Sequence, residues 1–302
     1  MKIGIQTVIT RGHVPPLEQG RAVAERGFAA FWAGEHHHFP DSTPVPDFYK
    51  ETGVPDFYKF SPDPLITLGA IQAANPQLEV GTAILLLPIH DTLIIANQIA
   101  TLDNLTGGKT MFGIGVGWNK PELAHHGVEF ESRVEKSGEQ IRALKQLWAN
   151  DKTEFHGKFV NFETSWQGPK PVQKPHPPLL LGGRPLKRNF ELLVEVYDGW
   201  MPTDTYAKTY GVDLDASLER LRGMFTDAGR DPDSMRNVME YAELMLYDRD
   251  PAKYAEDAPT RAELEHLEEL GFEQVIIGVP TFSESHFHGA LDYVAKLTEP
   301  WL

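Results

Sequence analysis

Short apolar runs alternate with longer amphipathic segments along almost the whole chain. The apolar runs predict strands because they are rich in β-branched and aliphatic residues, and the segments between them carry apolar residues at helical spacing. Eight strands are predicted, at 2–8, 29–35, 78–87, 110–118, 179–183, 199–203, 238–246 and 274–280. A helix is predicted after each strand, at 17–27, 63–75, 92–108, 120–149, 187–198, 214–229, 260–270 and 286–298. Asp63 is predicted to cap the second helix, with Pro64 at its first position.

Strands that alternate with helices indicate a parallel sheet, and eight such units in 302 residues favour one (β/α)8 barrel, or TIM barrel, over 1–302. An open doubly wound sheet is the alternative. That fold calls for a glycine-rich dinucleotide fingerprint after the first strand, and VITRGHVPP has none. Residues 151–178 break the alternation with the proline-rich PKPVQKPHPP, so they are predicted to be an inserted loop or small hairpin after the fourth helix.

Composition narrows the class of protein. The apolar share of 41% and the charged share of 24% are those of an ordinary soluble domain. The net charge of −15 argues against nucleic acid or an anionic membrane as a partner. The absence of cysteine excludes disulfides, thiolate nucleophiles, iron–sulfur clusters and thiolate zinc sites. With no secretory pattern or membrane-length apolar stretch, we expect a cytoplasmic enzyme with a small-molecule substrate.

The stretch AFWAGEHHHFPDS places Glu35 and three histidines at the carboxyl end of the second strand. Barrel enzymes keep their chemistry on that face. The long segments 36–62 and 151–178 are therefore expected to wall a pocket, with 36–62 as the active-site loop. His36, the first residue past the strand, is the histidine expected to reach the pocket.

A metal site is one interpretation of this stretch. In an extended segment Glu35 and His37 point one way, and His36 and His38 the other. A zinc site needs three protein ligands, which should come from other strand ends. Those ends read GG (182–183), MPTD (201–204) and GVP (278–280), with no histidine and one aspartate. We therefore predict no metal.

Two glycine motifs follow later strands. FGIGVGW (112–118) lacks a phosphate-loop pattern, because Trp118 occupies the third glycine position. Its alternating glycines either let a planar ligand approach the backbone or serve helix–strand packing, and both interpretations stay open. LLLGGRPLKRN (179–189) predicts a phosphate site, because a Gly-Gly turn leads into a helix start that carries Arg184, Lys187 and Arg188.

A tandem near-repeat lies within the active-site loop: VPDFYKETG (45–53) is followed by VPDFYKFSP (54–62). It is far too short to build a solenoid. We interpret it as a duplication that lengthens the loop over the pocket. Its aromatic residues either contact substrate or are exposed loop aromatics: Phe48, Tyr49, Phe57 and Tyr58.

Several ordered motifs together resemble the luciferase-like monooxygenase superfamily, which includes bacterial luciferase, FMN-dependent monooxygenases and oxidoreductases that use coenzyme F420. The motifs are EHHHF, VGTAILLLP, DTLIIANQIATLDNLTGGK, GIGVGWNKPEL, KPVQKPHPPLLLGG and VYDGW. The last three resemble most closely a subgroup regarded as F420-dependent. Some members carry a charged residue on strand 4, where this chain has Val116 and Trp118.

The resemblance implies a barrel with the flavin or deazaflavin ring at its carboxyl-end mouth, in a protein that is often a homodimer. Glu35 would lie beside the ring, where it would orient or polarise the ring or hold His36 in one tautomer, and His36 would match the catalytic histidine. Ala83–Ile84 would match a non-prolyl cis peptide bond under the ring. The other implied cofactor and cavity residues are Gly117, Trp118, Asn119, Gly182, Gly183 and Arg184.

The resulting hypothesis is hydride transfer between a small organic substrate and C5 of coenzyme F420. Histidine suits the accompanying proton transfer because its ordinary pKa lies near neutrality. The alternative within the superfamily is a monooxygenase that uses reduced FMN. Outside it stand a metal-dependent barrel hydrolase, which the missing ligands disfavour, and a non-catalytic cofactor-binding protein.

Overall fold

Eight parallel strands form one sheet in the computed structural model, which describes residues 1–50, 53–246 and 251–302. In the described part of the chain the ten strands are Lys2–Thr7 (β1), Ala30–Ala33 (β2), Glu79–Leu86 (β3), Thr110–Gly115 (β4), Lys152–His156 (β5), Asn161–Trp166 (β6), Leu179–Leu181 (β7), Gly199–Trp200 (β8), Asn237–Tyr241 (β9) and Phe272–Val279 (β10). Strands β5 and β6 form a separate antiparallel hairpin. The parallel sheet has the order β8-β7-β4-β3-β2-β1-β10-β9.

The two ends of this sheet meet and close a barrel. Strand β1 pairs with β10 from Lys2↔Gln274 to Thr7↔Val279 and also pairs with β2. At the other end, β8 and β9 are joined by a parallel bridge between Thr203 and Glu240. The predicted (β/α)8 barrel is therefore confirmed.

Helices surround the barrel. Those that the structure describes are Pro16–Glu25 (α1), Pro64–Ala74 (α2), Thr92–Leu105 (α3), Lys120–His125 (α4), Arg133–Ala149 (α5), Lys187–Val196 (α6), Asp204–Tyr210 (α7), Leu214–Asp227 (α8), Pro251–Asp257 (α9), Arg261–Glu269 (α10) and Glu284–Leu297 (α11). The Asp63 side chain accepts a hydrogen bond from the Ile66 N–H, which confirms the predicted cap of α2. None of the described helices is long and apolar enough to cross a membrane.

Side-chain alternation along the strands divides the core into two layers. Phe31 of β2 packs with the apolar faces of the helices, whereas its neighbour Trp32 points into the barrel with Met111 and Met201. A Cβ atom at Gly81 would lie 2.3 Å from the Trp32 ring, so glycine on β3 makes room for the indole. The buried indole of Trp32 therefore fills the interior of the barrel beneath the carboxyl ends of the strands.

The structure differs from the sequence prediction at several elements. The segment 120–149 divides into α4 and α5, because Asn119 caps α4 and Gly127, with a φ of 69°, ends it. The strand predicted at 238–246 ends at Tyr241, and a 3-10 turn follows at Glu243–Leu246. Helices α7 and α9 were not predicted. The insertion 151–178 contains the predicted hairpin.

Candidate active site

A cavity of about 570 Å³ opens at the carboxyl ends of the barrel strands. Its wall includes Tyr49, Phe57 and Tyr58, so the active-site loop lies where the sequence predicts. The prediction that 151–178 forms a second wall is wrong, since none of the residues that line the cavity comes from that segment. That segment packs instead against α3, where Asn97 and Asn104 donate hydrogen bonds to backbone carbonyls at 168 and 170.

Most of the residues implied by the resemblance line this one cavity: Glu35, His36, Ala83, Ile84, Gly117, Trp118, Gly182, Gly183 and Arg184. Asn119 does not. It is buried beside the cavity, where its side chain caps α4 and accepts a hydrogen bond from Thr43. The structure thus gives Asn119 a role in holding α4 in place.

His36 is held by a carboxylate that sequence reasoning did not identify. Its Nδ1 lies 2.9 Å from Oε2 of Glu122, and both side chains are buried. Glu122 comes from α4, so the cap at Asn119 fixes the position of this carboxylate. Because Glu122 engages Nδ1, Nε2 is the ring nitrogen of His36 left for other partners. Glu122, and not Glu35, is therefore positioned to select the tautomer of His36.

Glu35 is bound instead by three donors on its other side. It accepts hydrogen bonds from the Leu86 N–H at 2.6 Å and from Nε2 of His90 at 3.0 Å, and Nε2 of His37 lies 2.8 Å away. Burial acts to raise the pKa of Glu35, but the hydrogen bonds from the two histidines outweigh it and lower the pKa to about 2. The pKa of His37 is raised, first by this hydrogen bond. Glu35 is therefore a fixed anion in the cavity wall.

The side chains of Glu35, His37 and His90 together have the donor set of a metal site. Their ligand atoms all lie within 4.8 Å of one another. His90 follows β3, a strand end that the sequence argument on metal ligands did not consider. However, each histidine directs Nε2 to the Glu35 carboxylate, so hydrogen bonds account for the arrangement.

A bulge in β3 forms the cavity floor. The Ala83–Ile84 peptide bond is cis, as the resemblance implied, and the pairing with β4 shifts register between Thr82 and Leu85. Gln6 donates from Nε2 to the Ala83 carbonyl at 2.8 Å. A Cβ at Gly115 would lie only 1.9 Å from Cδ1 of Ile84, so the Ile84 side chain occupies the space that a larger residue would need. Packing against Ile84 therefore explains this glycine of the 112–118 motif.

The Gly-Gly turn after β7 is fixed from two sides. Trp200 donates from Nε1 to the Gly183 carbonyl at 2.8 Å, and Asn189 donates to the Arg184 carbonyl at 2.9 Å. The first N–H groups of α6 follow this turn, and such groups lack intrahelical partners. Arg184 and Arg188 line the cavity. Lys187 points outward, with a side chain that is 88% exposed.

Arg133 adds a third guanidinium that the sequence argument missed. It lies at the start of α5, where its Nε donates to the Gly117 carbonyl and its guanidinium stacks 3.6 Å from the centre of the Phe130 ring. Burial and the nearby charge of Arg188 lower the pKa of Arg133, although Glu131 acts in the opposite direction. Within the described ranges, Arg133, Arg184 and Arg188 form no salt bridge. Guanidinium groups gathered in one cavity without a salt-bridge partner mark a place for an anionic ligand.

Glu240 is a second buried carboxyl group on the cavity wall. It is one of the two residues of the bridge that closes the barrel, and it is 8% exposed. Burial raises its pKa to about 8, with a further rise from Asp204, while a hydrogen bond from Gln6 acts to lower it. Glu240 is therefore mostly protonated at neutral pH.

Glu240→Gln is expected to change how stability depends on pH. Between the ordinary pKa of 4.5 and about 8, the folded protein keeps a proton that the unfolded chain releases, so rising pH lowers the free energy of unfolding. Glutamine has no such proton. The variant should therefore gain stability relative to the wild type by up to about 1.4 kcal/mol per pH unit in this window. Urea unfolding across this range measures the difference, and a constant difference would contradict the raised pKa.

Comparison with known proteins now identifies the family. A family model described as Luciferase-like monooxygenase matches residues 15–289. The chain belongs to the luciferase-like monooxygenase family. Homologues in this family are oxidoreductases and monooxygenases that depend on F420 or flavin.

Two relatives are similar to this member of the luciferase-like family over different lengths of the chain. An uncharacterised Mycobacterium tuberculosis protein is 31% identical over 98% of this chain and 97% of its own length. The FMNH2-dependent dimethylsulfone monooxygenase of Pseudomonas putida is 41% identical over 117 residues, which are 38% of this chain and 32% of that protein.

Two solved structures share the fold at 18% identity. The monooxygenase RslO1 from Streptomyces bottropensis has a TM-score of 0.77 and covers 99% of both chains. An F420-dependent secondary alcohol dehydrogenase, solved with an F420–acetone adduct, has a TM-score of 0.72 and covers 100% of this chain and 99% of its own. At this identity the likeness concerns the fold alone.

Proposed function

We propose that this protein is a coenzyme F420-dependent oxidoreductase that transfers a hydride between the deazaflavin and a small organic substrate. The observation that carries the proposal is a group of three cavity arginines that form no salt bridge with any residue the structure describes: Arg133, Arg184 and Arg188. FMN ends in a single phosphate. F420 carries a phosphodiester followed by a glutamate tail, so it offers several anionic groups to several guanidinium groups.

The cavity residues fit such a cofactor in two further respects. Gln6 and Thr7 line the cavity, and their buried Oε1 and Oγ1 atoms have no hydrogen-bond partner among the described residues. Polar atoms of a bound ring would satisfy them. A Cβ at Gly182 would lie 2.5 Å from the Ile84 side chain. Because glycine has no side chain, the Gly-Gly turn can pack closely against the β3 bulge, beneath the position proposed for the cofactor ring.

The roles proposed for the chain's own residues follow from their contacts. Bound F420 would supply the carbon that accepts or donates hydride. His36 would take the substrate proton, or return it, through Nε2, and Glu122 would hold its ring in place. Glu35, fixed by the Leu86 N–H, would position the end of β3 beside the ring. Gly182, Gly183 and Arg184 would contact the phosphate.

A reduced-FMN monooxygenase is the second candidate function. The relative from Pseudomonas putida, which is FMNH2-dependent, favours it, since 117 residues match at 41% identity. In that case the cavity residues would hold reduced FMN, which would supply the oxygen-activating chemistry, and would limit the access of water to it. A non-catalytic member of the family would bind a cofactor and turn over nothing.

A paired fluorescence titration of the purified protein with F420 and with FMN separates these functions. We expect F420 to bind at least about tenfold more tightly, because extra charge-assisted contacts contribute about 1.5 kcal/mol or more. Oxygen uptake with reduced FMN serves as the parallel assay. Tighter binding of FMN together with oxygen consumption would overturn the F420 proposal in favour of the monooxygenase.

A further inference from the structure

Glu35, His37 and His90 form a cluster behind the cavity wall, where only Glu35 of the three lines the cavity. Nε2 of His37 and Nε2 of His90 lie 2.8 Å and 3.0 Å from the same carboxylate oxygen, Oε1 of Glu35. The two imidazole rings meet edge to face at 79°, with their centres 5.1 Å apart. Two nitrogen atoms and one oxygen atom, from residues that follow β2 and β3, therefore converge on one place.

The spacing of these three atoms is close to the spacing that a zinc ion requires. A tetrahedral ion with bonds of about 2.0–2.1 Å holds its ligand atoms about 3.3 Å apart. The three atoms already lie within 4.8 Å of one another. Each nitrogen therefore needs to move from Oε1 by only about half an ångström or less. The ion would use the atoms that now form the hydrogen bonds, so it would replace those bonds, and each Nε2 would release any proton that it carries.

The surroundings of the cluster suit a cation. The Leu86 N–H donates to Oε2 of Glu35, which leaves Oε1 for a metal. Asp63 and Glu122 both act to raise the pKa of His37, so further negative charge acts on this histidine. The His37 side chain is 30% exposed and the His90 side chain is 10% exposed. An ion could therefore enter past His37 and would then be largely shielded from water.

A second group of histidines lies beside the cluster and is the alternative place for an ion. Nε2 of His38 and Nδ1 of His125 are 2.9 Å apart, and the ring centres of His37 and His126 are 6.1 Å apart. Among the residues that the structure describes, no carboxylate forms an ion pair with His38, His125 or His126. The cluster around Glu35 supplies an anion to the metal, whereas this second group does not.

We propose that Glu35, His37 and His90 bind a zinc ion, which ties the end of β2 to the end of β3 behind the cavity wall. The ligands are Oε1 of Glu35 and the two Nε2 atoms, with water in the fourth position. The role of the ion is structural, because neither histidine lines the cavity and His36 is held separately by Glu122. This site revises the sequence-based prediction of no metal, and it does not depend on which cofactor the protein binds.

Calorimetric titration of the untagged protein with Zn²⁺ tests the site, and we expect one zinc ion per chain. His37→Gln and His90→Gln should each weaken binding by at least about 100-fold, since even an outer partner of a metal ligand contributes about 10- to 100-fold. His125→Gln is the matched control, because it removes an imidazole from the second group, and it should leave the affinity within about twofold. Mg²⁺ should not compete, since it prefers oxygen ligands.

Thermal unfolding measures whether the ion stabilises the fold. At a free zinc concentration about 100 times the Kd, the Tm of the wild type should rise by about 5 °C. The Tm of His125→Gln should rise equally. The Tm of His37→Gln and of His90→Gln should hardly change at the same zinc concentration, because a ligand is missing.

Several outcomes would overturn the proposal. The wild type might bind no zinc, or Mg²⁺ might compete with zinc for the same ligands. His125→Gln might weaken zinc binding as strongly as His37→Gln does, and the ion would then belong to the second group of histidines. An unchanged Tm in saturating zinc would overturn the structural role. If His90→Gln does not fold, His37→Gln provides the same test, since His37 is the more exposed ligand.

Discussion

His36→Asn is expected to lower kcat by about 10²- to 10⁴-fold while F420 affinity changes little. The proton that accompanies hydride transfer needs a group that both accepts and donates near neutral pH, and an asparagine amide does neither. The buried Glu122 beside it would also lose its imidazole partner. Steady-state kinetics with a fluorescence titration of the cofactor checks both parts of this expectation.

His38→Asn is the matched control for this experiment. It removes a histidine from the same loop, but His38 pairs with His125 at 2.9 Å and does not line the cavity. Its kcat should stay within about twofold of the wild type, as for a residue outside the reacting site. Full turnover by His36→Asn with F420 bound would exclude His36 as the proton-transfer residue.

The barrel could be predicted from the sequence because each of its strands and long helices is identified from its own residues. Apolar runs such as LLL at 179–181 are buried on both faces and read as strands without knowledge of their neighbours. The carboxyl-end location of Glu35 and His36 follows from the same pattern. Short helices such as α7 have too few residues to show a helical period. The 3-10 turns of the duplicated loop, Asp47–Tyr49 and Asp56–Phe60, are too short for the same reason.

The pairings within the site could not be predicted, because they join distant segments. Glu122 is 86 residues from His36, and His90 is 55 residues from Glu35. No spacing rule relates such residues until the barrel places their strand ends side by side. His90 was within reach, since it follows a predicted strand in LLLPIH. A strand end without an obvious motif can therefore carry a ligand or a proton donor.

Arg133→Gln and Arg188→Gln are each expected to weaken F420 binding by about 10- to 100-fold and FMN binding by much less. A charge-assisted hydrogen bond contributes about 1.5–3 kcal/mol, and a cofactor with one phosphate cannot engage all three cavity arginines. The wild-type affinity for F420 should also fall with rising ionic strength, and less steeply in each variant. Titrations with both cofactors at low and high salt measure these differences.

Arg142→Gln is the control for the arginine variants, because it removes a guanidinium from the same helix as Arg133. Arg142 pairs with Glu195 on the surface, so its loss should leave both affinities unchanged. Arg188→Gln should also be at least as stable without cofactor as the wild type, since it removes a like charge near Arg133. An equal loss of F420 and FMN affinity would show that these arginines hold only one phosphate. That result would remove the argument for a multiply charged cofactor and leave the monooxygenase as the better account of the cavity.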